Sequence, residues 1–218
     1  MTLRILGIDP GTRIAGYGVV DLHPDGRITG VSAGVWRFDA DLPLAARLAS
    51  LATEFARVVG IYSPQGVCVE QAFVAQNIRS ALFLGHARGV VLAHAHQSGL
   101  AVHELSPTAV KKAVLAHGRS SKESIAHALS QILKVSFENL PHDASDALAV
   151  AYAHALKEKM ARTQGVSLSQ EGQMEKKTKR RAGGSRWASP ETPRHSNSVR
   201  KKNGFEMFVE GDKKLRKL

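Results

Sequence analysis

The chain contains a single cysteine, Cys68, among its 218 residues. An internal disulfide is therefore excluded, and the usage fits a reducing compartment. No apolar run approaches the roughly 18 residues that a membrane span requires, so no membrane partner is expected. The N-terminus lacks the basic-then-apolar pattern of a secretion signal, because Leu3 to Ile8 is too short for one; a cytoplasmic location is expected. A Walker-type Gly-Lys-Ser is missing as well, and the "DPGT" loop occurs once. That argues against an ATPase of the actin-like kind, which closes two such loops around a nucleotide. Finally, the first part of the chain has no charge excess. Met1 to Leu156 carries 13 Lys and Arg against 12 Asp and Glu, whereas Lys157 to Leu218 carries 17 against 7. The overall net charge of +11 is thus a property of the C-terminal tail, and any basic surface on the globular part has to be a local patch.

The part that is present is patterned for an α/β fold. Leu3–Asp9, Ala15–Asp21 and Ile28–Phe38 read as strands joined by tight turns, Pro10-Gly11 in the first and Pro24-Asp25-Gly26 in the second. Leu42–Ile61 has apolar residues at helical spacing, including Leu44, Leu48, Leu51, Phe55 and Val58. "GVCVEQ" is a short buried strand, Asn77–Gln97 a long helix and Ala101–Leu105 a strand. Pro107–Ala116 and Lys122–Leu133 are further helices, and Pro141 precedes a last, alanine-rich helix, Asp143–Leu156. Three consecutive strands followed by alternating helices and strands predict a mixed sheet of five strands with helices on both faces. This gives one domain over residues 1–156. Residues 157–218 are rich in charge, Ser, Gly and Pro and are expected to be disordered. "FEMFV", Phe205–Val209, is a small apolar island within that tail.

Four acids stand at the edges of apolar elements. Asp9 closes the first strand, where it either forms the turn ahead of Pro-Gly or holds a cation. Glu70 closes "GVCVE", although glutamate has poor strand propensity; a solvated strand end is the other explanation. Asp143 and Asp146, three apart, share one helix face, and a capping box at the helix start explains them equally well. Jointly these local explanations weaken. The first and fourth strands would be parallel neighbours, and open α/β sheets place sites at the C-terminal edge of such strands. Four carboxylates brought together repel one another unless a cation sits among them. All-oxygen ligands favour Mg²⁺ or Mn²⁺ over zinc, and two such ions can clamp a phosphodiester.

The blocks "GIDPGTRIAGYGVV", "VEQAF", "SALFLGHARGVVLA", "AVKKAVLAHGRSSKESI" and "HDASDALAVAYAH" resemble, in order, the motifs of the RuvC family, bacterial Holliday-junction resolvases of ribonuclease-H-like fold. The resemblance covers about Leu3 to Leu156. It implies that Asp9, Glu70, Asp143 and Asp146 are the catalytic carboxylates and ligate two Mg²⁺ per site, with Mn²⁺ as a substitute. It implies hydrolysis that leaves a 5′-phosphate and a 3′-hydroxyl. Phe73 matches the family's loop aromatic, which stacks against bases near the junction centre, and Lys111 and Lys122 match phosphate-binding residues; core packing and solvated helix surface are their plain alternatives. Arg79 and Arg88 are further candidates for the strand-binding face. His142, beside Asp143, reads as a surface residue. The implied partners are four-way junction DNA, a second copy of the chain and the RuvA–RuvB branch-migration complex. Gly85 and Gly89 on one face of the long helix leave room for a partner helix, or for packing on the sheet. A non-catalytic junction-binding module is the alternative, and it would be favoured by loss of acids that are all present here. The tail departs from the family pattern; as an arm of net charge +10 it is expected to bind phosphate backbones without sequence preference.

Overall fold

The computed structural model describes residues 1–71, 78–115, 129, 131–133, 140–165 and 206–209. β1 (Leu3–Asp9), β2 (Ile14–Leu22) and β3 (Ile28–Arg37) form an antiparallel meander. β4 (Gly66–Glu70) then pairs parallel with β1, and β5 (Ala101–Leu105) parallel with β4. The helices are α1 (Leu44–Tyr62), α2 (Ile78–Gln97), α3 (Pro107–Val114) and α4 (His142–Thr163). The five expected strands are all present in one mixed sheet, with β1 and β4 as the expected parallel neighbours.

The sheet is buried on both faces, which is why its strands read as nearly continuous apolar runs. Leu6, Ile8, Tyr17, Val19, Val67 and Val69 pack against α1 and α2, through Leu51, Phe55 and Val58 on the first helix and Ala87, Val91 and Ala95 on the second. The alternate residues Ile5, Val20, Leu22 and Cys68 pack on the other face with α3 and α4, through Val110, Val114, Leu148 and Ala151. The period of two thus sorts the side chains between the layers.

α4 lies unusually close to the sheet, and the sequence explains how. A methyl group at Gly7 would sit 2.1 Å from the carbonyl oxygen of Ala147, one at Gly16 1.8 Å from that of Asp143, and one at Gly18 2.5 Å from the Cα of Leu148. Three glycines on β1 and β2 therefore form a trough that admits the helix backbone itself. The helix meets it with Ala144, Ala147 and Ala151, all fully buried. Alanine suits this role because it favours the helix and projects little.

Two expectations need correction. The last helix does not stop at Leu156 but continues to Thr163, because Glu158 and Ala161 are still buried against the body. The tail is not wholly without structure either: β6 (Glu206–Val209), from the apolar island, pairs antiparallel with β3 in the register Ser32↔Val209 to Val35↔Glu206, so the sheet has six strands. Without it β3 would end the sheet with unpaired backbone donors and acceptors. Gly85 and Gly89 do not pack on the sheet; both are exposed, with open space where a side chain would be. The expected helix Lys122–Leu133 lies largely outside the described residues, within which residues 129 and 131–133 are helical.

Candidate active site

β1 delivers Asp9 to its C-terminal end, where the chain must reverse at once to enter β2. Gly11 makes that reversal fit, since a Cβ there would sit 1.9 Å from the carbonyl oxygen of Ile14. Arg47, from α1, braces the same loop by donating from Nη1 to the carbonyl oxygen of Thr12 at 3.1 Å. Across the meander Asp9 is the register partner of Gly16, and Gly16 is where the backbone of Asp143 rests on the sheet. Backbone contacts alone therefore bring the end of β1 and the first turn of α4 together.

Glu70 arrives from the neighbouring strand. Ile8 and Val69 are the last paired residues of β1 and β4, so Asp9 and Glu70 follow side by side at the same edge. Both line one cleft of ≈ 170 Å³ with Pro10, Gln71, Leu84, Arg88 and Pro107. The end of β4 is clamped by two bonds: the Gln71 amide donates to the carbonyl oxygen of Leu105 at 2.7 Å, and Arg88 Nη1 donates to the carbonyl oxygen of Glu70 at 2.5 Å. Arg88 also pairs with Glu104 at 2.5 Å, and its side chain is only 15 % exposed. Arg88 thus holds the end of β4 in place while lining the same cleft.

Asp143 and Asp146 occupy the first turns of α4, both half-buried. The capping explanation fails for them: Pro141 is the N-cap, no side-chain cap bond forms, and Asp143 lies inside the helix. Ser145 instead donates its hydroxyl to the carbonyl oxygen of His142 at 2.8 Å, and His142 is exposed as expected. Among the described residues, the one group of three or more His, Cys, Asp or Glu with ligand atoms all within 4.8 Å is His103, His154 and Glu158, which includes none of the four acids.

Lys111 is exposed near the end of α3. Phe73 and Lys122 lie outside the described residues, and Arg79 is placed on α2 by its backbone. Sequence reasoning missed a second, larger cleft of ≈ 740 Å³ that adjoins the acidic one through the Pro10-Gly11 turn. It is lined by Gly11, Thr12, Arg13, Arg47, Ser80 and Phe83. An exposed Arg13 two residues after Gly11, and an arginine in the first turn of α1, were the available signals. Two guanidinium groups beside a carboxylate edge suit a phosphate backbone entering the site.

The family profile described as "Crossover junction endodeoxyribonuclease RuvC" matches residues 5–154. A protein of that name from Neisseria meningitidis serogroup A is 44 % identical over 156 residues, covering 72 % of this chain and 86 % of the relative. Its counterpart in Myxococcus xanthus is 46 % identical over 153 residues, covering 70 % and 80 %. Among solved structures, Thermus thermophilus RuvC in complex with a Holliday junction substrate superposes with a TM-score of 0.68 at 30 % identity, over 73 % of this chain and 96 % of that one. The yeast mitochondrial resolvase Ydc2 shares the fold, with a TM-score of 0.57 at 14 % identity over 79 % and 84 %.

Proposed function

The chain belongs to the RuvC family of crossover junction endodeoxyribonucleases, and from that premise we propose that it resolves four-way DNA junctions by paired nicks made with Asp9, Glu70, Asp143 and Asp146. The observation that carries this reading is the descent of α4 into the glycine trough, which puts the first turn of the helix against the strand pair that bears Asp9. The carboxylates supply an all-oxygen donor set, which fits a hard divalent ion, Mg²⁺ first and Mn²⁺ as a substitute. Such ions, when bound, polarise a phosphodiester and lower the pKa of water. The chain's own residues then have three tasks. Asp9 and Glu70 supply carboxylates from the strand ends, Asp143 and Asp146 supply them from the first turns of α4, and Arg13 with Arg47 orients the incoming strand. The products are a 5′-phosphate and a 3′-hydroxyl.

The substrate would be recognised mainly by shape and backbone, with Phe73 stacking on a base and Lys111, Lys122 and Arg79 contacting phosphate. A four-way junction has two-fold symmetry, and a two-fold homodimer presents one site to each of two opposed strands. α2 offers a surface for that pairing: Ile78 is 74 % exposed and Leu82 61 %, and Gly85 and Gly89 continue the same open face. The RuvA–RuvB branch-migration complex is the partner that this role implies. No helix among the described residues is long and apolar enough to cross a membrane.

Cleavage of a synthetic mobile junction tests the reading. Symmetric nicks in Mg²⁺ that disappear in EDTA are expected; tight binding without cleavage under any divalent ion would reduce the protein to a junction-binding module.

The organisation proposed is a nuclease unit ending with α4 and a basic tail that grips duplex DNA. Cutting after Gly165 removes the tail without opening α4, whereas a cut after Leu156 would strip away buried Glu158 and Ala161. The truncated chain should bind duplex at least tenfold more weakly at low salt. Its plot of log affinity against log salt should be shallower by roughly 0.9 for every phosphate that the protein no longer neutralises. Glutamine in place of the basic residues of "KKTKRR", Lys176–Arg181, should reproduce much of the effect with β6 retained. Unchanged slopes would mean that the tail does not touch DNA.

A further inference from the structure

The C-terminal half of α4 carries a cluster for which junction cleavage has no use. His154 and Glu158 stand one helical turn apart, 3 % and 1 % exposed, with His154 Nε2 4.0 Å from Glu158 Oε1. From β5, half-buried His103 lays its ring against that of His154, with centroids 4.1 Å apart and planes inclined by 30°. One ligand atom from each of the three lies within 4.8 Å of the other two. The cluster is remote from the acidic cleft: at 1.5 Å of rise per residue, His154 and Glu158 lie roughly 12 and 18 Å along the helix from Asp146.

Burying a carboxylate is costly unless positive charge meets it. His154 stands beside the Glu158 carboxylate with its Nδ1 buried and without a hydrogen-bond partner among the described residues. Two imidazoles and one carboxylate converging from a strand and a helix make the donor set of a borderline transition metal, in contrast to the all-oxygen set at the other end of α4.

We infer that His103, His154 and Glu158 bind one divalent transition-metal ion of the zinc class, which ties β5 to the C-terminal half of α4. Ligand atoms about 2.0–2.2 Å from zinc lie ~3.4 Å from one another, so the three side chains need to close in by about an ångström. The His103 side of the cluster is only half-buried, which gives the ion its way in and leaves a fourth, tetrahedral position to water.

The test uses the full chain carrying Asp9→Asn, which weakens metal binding at the acidic edge, with Co²⁺ as a visible substitute for zinc. Intense ligand-field absorption should saturate at one Co²⁺ per chain. Zn²⁺ should erase it, Mg²⁺ should not, and adding His103→Ala should weaken Co²⁺ at least tenfold while far-ultraviolet circular dichroism stays unchanged. Zn²⁺ should also raise the unfolding temperature of the Asp9→Asn chain by about 5 °C or more, reversed by a chelator. Absence of both the absorption and the thermal shift overturns the inference. So does absorption that persists in His103→Ala, or that vanishes with Asp143→Asn while His103 is intact.

Discussion

Asp9→Asn is expected to slow nicking of a four-way junction by at least about a thousandfold while the junction still binds. The reasoning starts from position. Asp9 is the last residue of β1, beside Glu70 at the edge of the parallel pair and opposite Gly16, on which the first turn of α4 rests. The Pro10-Gly11 reversal follows immediately and tolerates no side chain at Gly11. Asparagine keeps the shape of aspartate and its ability to accept one hydrogen bond, but it removes the negative charge that a divalent ion requires. Losing a ligand that helps stabilise transition-state charge by several kcal/mol corresponds, at 1.36 kcal/mol per decade, to about three orders of magnitude. Binding should survive because affinity for DNA comes from contacts to the phosphate backbone made by basic groups, and removing a nearby carboxylate does not weaken those. A single-turnover cleavage assay beside a gel shift measures both quantities. A parallel loss of binding and cleavage would show that Asp9 holds the local structure together instead of serving the chemistry.

The second large effect comes from a residue that touches no substrate. Gly16→Ala should disable nicking by about a hundredfold or more and also destabilise the fold. The new methyl group would sit 1.8 Å from the carbonyl oxygen of Asp143, a separation no real contact permits, so either the strand or the first turn of the helix must give way. Overpacking of this kind costs about 1–3 kcal/mol of stability. A displacement of about 1 Å at a catalytic group can cost a factor of about a hundred in rate. Gly18→Ala is the control. It strains the same helix further along, at Leu148, and should lower the melting temperature with a smaller effect on rate. If the two variants lose stability equally and Gly16→Ala nicks at the normal rate, the trough does not position Asp143.

Much of this was legible in the sequence, for identifiable reasons. Strands buried on both faces and bounded by Pro and Gly announce themselves, so β1 and β5 came out with their observed ends. The four acids proposed for the site stand out because each lies at the edge of an apolar element. The glycine trough escaped notice because Gly7, Gly16 and Gly18 look like weak points of strands, and their meaning depends on a helix more than a hundred residues away. The hold of Arg88 on β4 escaped notice for a related reason: nothing local reveals that its partner is the carbonyl oxygen of Glu70. α4 runs on past its expected end at Leu156 because the charged run that follows only resembles a tail. Glu158 within that run is in fact among the most deeply buried side chains of the protein.

The pairing of β6 with β3 alters what the basic segment is. The chain leaves the body at Thr163 and is pinned again at Glu206, so the stretch between them, with ten Lys and Arg against three acids, is a tethered span and not a free end. Closing a long span adds little entropy cost, since each doubling of length costs only about 0.6 kcal/mol. In return, both ends of this basic sequence stay with the body. Once one part of the molecule has engaged DNA, encounters between the span and the same DNA become intramolecular, at an effective concentration that tethers of this sort can raise to roughly millimolar. The span would then prolong residence at a junction without contributing to its recognition, and unzipping four residues of β-ladder would lengthen its reach.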